Sequence, residues 1–498
     1  MLWIGAAGAC AGSFLNMLIY RLPRERSLLR PLHSYCPACE SRIRFHDNIP
    51  LISYLRLAGR CRDCRAPIPL RYPLIEGISA LSFMLILDAF CLSAVRPDLE
   101  SLTAFGVTEQ AAGCWSVLAG HLVLVAGLLA ISAVDLEEYY VDVRITWFVA
   151  ITGLLSQALH REPVTEAYAL SPGVAGATLA AFVGLGMSWA VLRFRQRKAT
   201  DERQDRLPEY EPGENPTIPC PEADTLSAET GRTDTPDPDQ TPEPQAPREP
   251  NPAWGCVVAG LTLIAILGWA CGVSIEGLGR QSWFPADLRL PLVFALLFLA
   301  LVGSSIRSRP ADLAIVQVIE DERHRARAVA WGELLFLAPA LALGVGAWWW
   351  LSSAGAERAA GVVARVLEWP ASSSWHPARN LVWAACSMLI GGAIGWGVRI
   401  FFTLLLGKEA LGLGDVHVMW AAAAVTGWVV VVLGFFAAAF LAVLGMILLL
   451  GFKRSRAIPF GPWLALGILA LVLGLDPILG YFRPATTALT ELLTRGHP

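Results

Sequence analysis

Apolar stretches of roughly 18 to 24 residues recur along most of this chain, and they limit the fold more than any other feature. A helix of that length crosses a hydrocarbon core of about 30 Å. Lipid offers no hydrogen bonds to the backbone, so a crossing segment must satisfy its own amides and carbonyls, as a helix does. The charged fraction agrees: 16% of the 498 residues are charged, against 55% hydrophobic, where a soluble domain carries about 25% charged residues. The sequence therefore specifies an all-α polytopic membrane protein with about twelve transmembrane helices. The spans fall near 2–20, 74–95, 113–134, 145–160, 174–192, 254–272, 289–305, 331–351, 379–406, 416–433, 434–452 and 457–475. The first block lacks a basic leading region and a small-residue cleavage site, so it reads as a retained span.

Basic residues set the expected orientation. Arg21 to Arg71 holds eleven Arg and four acidic residues, which assigns that segment to the cytoplasm. Counting spans from there puts the basic clusters at 193–198, 307–309, 323–327 and 453–456 on the same side. The agreement requires the 37 residues between Asp415 and Lys453 to form a hairpin of two short spans. The net charge of −3 averages this basic segment with an acidic one and identifies no partner. The lipid bilayer is an expected partner, and nucleic acid is not.

Seven regions follow: a first helix (1–20), a cytoplasmic four-cysteine module (21–73), a first membrane core (74–195), a linker (196–252), an additional membrane region (253–378), a second membrane core (379–482) and a tail (483–498). The linker holds eleven Pro and fourteen Asp or Glu between Asp201 and Pro250. Such a stretch buries too little apolar surface to offset chain entropy and is expected to be disordered.

Most of the eleven cysteines stand singly in apolar spans or in the linker, where a thiol is an ordinary small apolar group. Cys36, Cys39, Cys61 and Cys64 are different: two C-x2-C pairs separated by 21 residues. Four thiolates match tetrahedral Zn²⁺ and leave no open coordination position, so a metal here would be structural. Disulfides are the alternative and would need the opposite topology.

Chemistry must then lie elsewhere, and carboxylates beside apolar spans are the candidates. Asp135 ends the third span in "LLAISAVDLEEYYVDVRI", and Asp415 opens the tenth in "LGKEALGLGDVHVMWAAAAVTG". Taken singly, Asp415 could cap its helix and Asp135 could be solvated by headgroup water. As a pair on one face, one carboxyl could keep a proton while the other activates water. Gly412 and Gly414 would let an extended backbone approach Asp415 closely. Asp88 reads as an interhelical hydrogen-bonding group, Glu76 as structural, and Glu137, Glu138 and Asp142 as a solvated charged loop.

These residues resemble the type IV prepilin peptidases, the GxGD membrane aspartic peptidases that cleave leader peptides and N-methylate the product. The resemblance rests on "GSFLNMLIYRLP" (12–23), "CPAC" (36–39), "DNIPLISYL" (47–55), "GRCRDCRAPIPLRYPLIE" (59–76), "AVDLEEYYV" around Asp135, "EALGLGDVHVMWAAAAVTGW" (409–428) and "IPFGPWLALG" (458–467). It implies Asp135 and Asp415 as the catalytic pair, Gly412 and Gly414 as the glycine loop, and Cys36, Cys39, Cys61 and Cys64 as zinc ligands. It further implies prepilins or pseudopilins as substrates, S-adenosylmethionine as methyl donor, and a bacterial inner membrane with the site on its cytoplasmic face. No glycine-rich Rossmann fingerprint for that donor is present in the sequence, so methylation follows from the resemblance alone.

Three departures stand out. Val141, Asp142 and Val143 replace the family's Ile-Pro-Asp or Asn, and His417 replaces a Lys. The third is an insertion between the catalytic segments, with about four extra spans. An even number returns the chain to the same face, so Asp415 could still meet Asp135. Spans 254–272, 289–305 and 331–351 are extra, and the fourth is 174–192 or 379–406. Residues 319–333 read as a cytoplasmic charged helix or loop, with His324 solvated. Rival readings are a peptidase without methyltransferase activity, an inactive family member, or a transporter or scaffold docking a partner through its zinc module. Transporters place charges at the midplane, whereas here they stand at the membrane surface.

Overall fold

A computed structural model describes residues 2–28, 33–91, 111–160, 172–204, 325–352, 361, 377–450 and 459–473. The described residues are helical throughout the apolar segments and contain no strand. We number the helices α1 (Leu2–Arg21), α2 (Ile52–Arg56), α3 (Arg71–Cys91), α4 (Ala111–Glu138), α5 (Val143–Ala158), α6 (Pro172–Gln204), α7 (Ala326–Ser352), α8 (Pro377–Leu406), α9 (Leu413–Thr426), α10 (Trp428–Leu450) and α11 (Gly461–Leu473). The segments Leu2–Arg21, Trp115–Glu138, Val174–Phe194, Ala326–Leu351, Pro377–Leu406 and Trp428–Ile447 are long and apolar enough to cross a membrane.

The all-α polytopic architecture is as expected. Of the twelve expected spans, 254–272 and 289–305 lie outside the described residues, as does most of the linker. Residues 196–204, assigned to that linker, are the helical end of α6. The described residues fall in two compact units, residues 1–188 with 253–498 and residues 189–252. Within the second, the Arg193 guanidinium lies 5.3 Å from the Trp189 ring centre.

In the first unit α1 packs on α3, and α4 packs on α1, α3 and α5. Helix α9 is enclosed on several sides, contacting α4, α5, α8 and α10. Its 14 residues span only about 21 Å at 1.5 Å per residue, short of a hydrocarbon core. Protein therefore surrounds what lipid would otherwise cover: Met419, Ala422 and Ala423 are fully buried. Gln157 Nε2 donates to the Val425 carbonyl at 2.8 Å, tying α5 to the far end of α9.

The apolar run after Asp415 is broken, as topology demanded, but not at residues 433 and 434. The break is Gly427, whose φ of +87° ends α9, a conformation that a side chain strongly disfavours. Gly445 lies against Trp463 and Gly434 against Ile468, so α10 runs antiparallel to α11 and ends where α11 begins. Helices α9 and α10 thus form the expected hairpin with an earlier turn.

Candidate active site

Three chain segments distant in sequence converge at one end of this bundle. Asp135 lies near the end of α4, Asp415 in the first turn of α9, and Gly461 at the start of α11. The Gly461 amide donates to Asp135 Oδ2 at 3.0 Å. Asp415 is close enough to feel the Asp135 charge, and the two side chains belong to residues only 9% and 8% exposed.

Asp415 does not cap its helix. Gly412 is the capping residue, and the Asp415 amide donates to its carbonyl at 3.2 Å. The carboxylate therefore sits on the third helical residue and turns back toward the Gly412 amide at the helix start. Both glycines also stand close to neighbouring protein groups. A Cβ on Gly414 would meet Val141 at 2.7 Å, and one on Gly412 would meet Asp415 Oδ2 at 3.2 Å. Gly414 thus admits the segment after Asp135 against the start of α9.

Glu137 and Glu138 are exposed, as expected, but they end α4 and are paired, whereas Asp142 is buried. Glu137 accepts from Arg71 at 2.6 Å, and Glu138 from Arg24 at 3.1 Å. Asp142, 1% exposed, caps α5 by accepting the Arg144 amide at 2.9 Å and pairs with the Arg144 guanidinium at 2.6 Å. Burial works against its charged form, but the Arg144 bonds prevail and hold its pKa below the usual aspartate range. Asp142 hence starts the helix that a proline would otherwise start. Arg144 also donates to the Leu22 carbonyl at 3.0 Å, linking this connection to the end of α1.

His417 Nδ1 lies 2.8 Å from the Leu413 carbonyl, one turn back, and the residue is half-buried. Glu76 is structural, as expected, accepting the Leu51 amide at 2.8 Å. The Asp88 side chain and His324 lie outside the described residues.

Cys36, Cys39, Cys61 and Cys64 form a compact cluster whose sulfurs all lie within 4.8 Å of one another. The two knuckles repeat one geometry. The Cys36 amide donates to Ser41 and the Cys61 amide to Ala66, at 3.0 and 2.8 Å. Left-handed Glu40 (φ 57°) and Arg65 (φ 61°) follow the second cysteine of each pair. The sulfurs of Cys36 and Cys64 stand 3.8 Å apart, the edge of a tetrahedron with metal–sulfur bonds of about 2.3 Å. The donor set fits zinc. Asp47 braces the module, accepting from Arg56 and Arg62 at 2.5 Å each. Those bonds outweigh its burial and hold its carboxyl well below the usual range.

Gly461 was quoted in a motif but given no role by sequence, and the cluster around Glu333 and Arg399 was missed. Glu333, at the end of the stretch read as a charged helix or loop, is helical and largely buried. It lies in α7 and receives Arg399 at 3.2 Å and Trp396 Nε1 at 2.9 Å. An arginine inside an apolar span was the available signal.

Comparison with known proteins gives the remaining evidence. The family model for the bacterial peptidase A24 N-terminal domain matches residues 6–90. A type 4 prepilin-like proteins leader peptide-processing enzyme of Escherichia coli is 36% identical over 175 residues, covering 32% of this chain and 57% of that protein. Prepilin leader peptidase/N-methyltransferases of Myxococcus xanthus and Dickeya chrysanthemi are 36% and 44% identical over 139 and 100 residues. Those two matches cover 28% and 16% of this chain, and 35% of each relative. The chain thus spans about a third to just over half of the length of these curated relatives. No solved structure matches. The opening helix and cysteine module thus match the bacterial peptidase A24 N-terminal domain, and the chain is similar to prepilin leader peptidases over part of their length.

Proposed function

We propose that this protein is a membrane aspartic endopeptidase that removes leader peptides from prepilins or pseudopilins. The observation that carries the reading is the convergence of Asp135 and Asp415, 280 positions apart in sequence, with the Gly461 amide on Asp135. Cleavage needs water activated at a peptide carbonyl and a proton delivered to the departing amine. Two carboxyls sharing one site divide that work: one takes the proton of the attacking water while the other protonates the carbonyl oxygen, giving a tetrahedral diol. As its C–N bond breaks, the first carboxyl passes its proton to the departing amine and the diol returns one to the second. The Gly461 amide fixes the rotation of the Asp135 carboxyl and so aims it.

Gly412 and Gly414 serve as the loop that sets Asp415. The four cysteines hold a structural zinc ion, which supplies no reactive position and keeps the 33–70 module folded beside the membrane. The cysteine module and site face the cytoplasm of a bacterial inner membrane, as the eleven arginines of 21–71 require. The names of the relatives extend the proposal to N-methylation of the new N-terminus by S-adenosylmethionine. Among the described residues no strand–turn–helix fingerprint stands for that group, and we derive no step through it. The additional spans lie between α5 and α8. Helix α8 packs on α5, α9 and α10 as well as on α7, which supports it as core and 174–192 as the fourth addition.

The test is co-expression with a prepilin. A shortened product in membranes is expected, and its loss in Asp135→Asn and Asp415→Asn. Retained processing in either variant would remove that residue from the mechanism. Mass spectrometry of the product's N-terminus decides methylation, an unmethylated residue pointing to a peptidase alone.

A further inference from the structure

Arg399 of α8 is 8% exposed in the apolar bundle, where an unpaired cation is costly. Its guanidinium binds three groups from different places. One is Glu333 of α7, at 3.2 Å. The others are the Glu409 carboxylate and the Leu411 carbonyl. Trp396 Nε1 donates to the same Glu333 at 2.9 Å. One turn and a half earlier in α7, Arg327 donates to the Leu404 carbonyl at 3.2 Å, and its guanidinium lies against Gly407.

The gripped residues are the end of α8 and the 407–412 connection, which runs directly into the Gly412 cap and Asp415. Thr403 adds to the same connection, accepting the Gly407 amide on its carbonyl at 2.9 Å and facing the Ala410 amide at 3.4 Å. Glu333 contributes what α8 cannot supply alone: a second carboxylate on the guarded side of Arg399. Its side chain is 17% exposed, against 47% for Glu409, so it is the better-shielded partner.

We propose that Glu333 is a positioning residue for Asp415, acting through Arg399 on the 407–412 connection. The additional membrane region thereby supplies part of the scaffold of the glycine loop. The proposal rests on the reading of Asp135 and Asp415 as the catalytic pair. Glu333 touches no reacting atom; it limits where the start of α9 can sit.

The experiment uses the full chain in detergent or lipid and two readouts. Amide hydrogen exchange over 405–416 needs no activity. Glu333→Met is expected to raise exchange there by about tenfold, with the exchange of α1 and α3 unchanged. Cleavage of a prepilin should show a fall in kcat of about ten- to a hundredfold, with KM within about twofold. Glu333→Gln keeps an acceptor for Trp396 and Arg399 and should recover most of both. Unchanged exchange in Glu333→Met overturns the proposal, and so does full kcat with a loosened connection. Should Glu333→Met not accumulate, Glu409→Gln at the more exposed partner must loosen the same peptide, and unchanged exchange there overturns the proposal equally. Asp135→Asn separates the two ideas: cleavage without that carboxylate defeats the catalytic pair, while loop exchange still decides the role of Glu333.

Discussion

The Gly461 amide donates to Asp135 Oδ2 at 3.0 Å, joining residues 326 positions apart. The approach is so close that a Cβ on Gly461 would stand 2.6 Å from that oxygen. Gly461→Ala must therefore displace either the carboxyl or the start of α11. The expected outcome is a fall in kcat of about a hundredfold with little change in KM, since misplacement of about 1 Å has that effect. Steady-state cleavage of a prepilin measures it, and an alanine variant with full kcat would show the contact to be dispensable.

Asp135→Asn and Asp415→Asn should each lower cleavage at least a hundredfold, the lower range for loss of acid–base catalysis. Residues that act as one unit are not additive. The double variant should accordingly be about as slow as the worse single one, read from processed pilin in membranes.

Asp142 carries a pH dependence of known sign. Its pKa is depressed by Arg144, so its contribution is present above the unfolded aspartate value of about 3.9 and fades as pH falls toward the folded value. Asp142→Ala removes a buried helix cap and should cost about 1–2 kcal/mol. The difference in thermal midpoint between parent and variant should hold from pH 8 to 5 and shrink below about pH 4. A difference that grows on acidification would contradict this.

The cysteine cluster should contain about one zinc per chain, measured by elemental analysis of purified protein. Cys64→Ser should lower that content well below half. The module flanks the site through Arg24–Glu138 and Arg71–Glu137, so cleavage should fall as well. Full zinc occupancy in the serine variant would exclude a four-cysteine site.

Much of the molecule was legible from residue type alone. Helices had to form wherever about 20 apolar residues meet lipid. The cysteine pairs announced their own cluster by spacing. The two aspartates were visible because charge beside an apolar span is rare. Asp142 was misread for a physical reason: its burial depends on Arg144 and on the packing of α5, and neither is encoded in local polarity.

What the sequence determined by itself was local: apolar length specified helices, and spacing specified the paired cysteines. It also placed a necessary break between Asp415 and Lys453, without locating it at Gly427. Tertiary structure alone decided which distant groups touch. The Gly461 amide on Asp135, Val141 against Gly414, and Glu333 on Arg399 join segments from 66 or more positions apart. Apolar helices look alike to one another in lipid, and their pairing is selected by close packing and by the few polar groups that must find partners. Those partners are identified only when the whole bundle has closed around them.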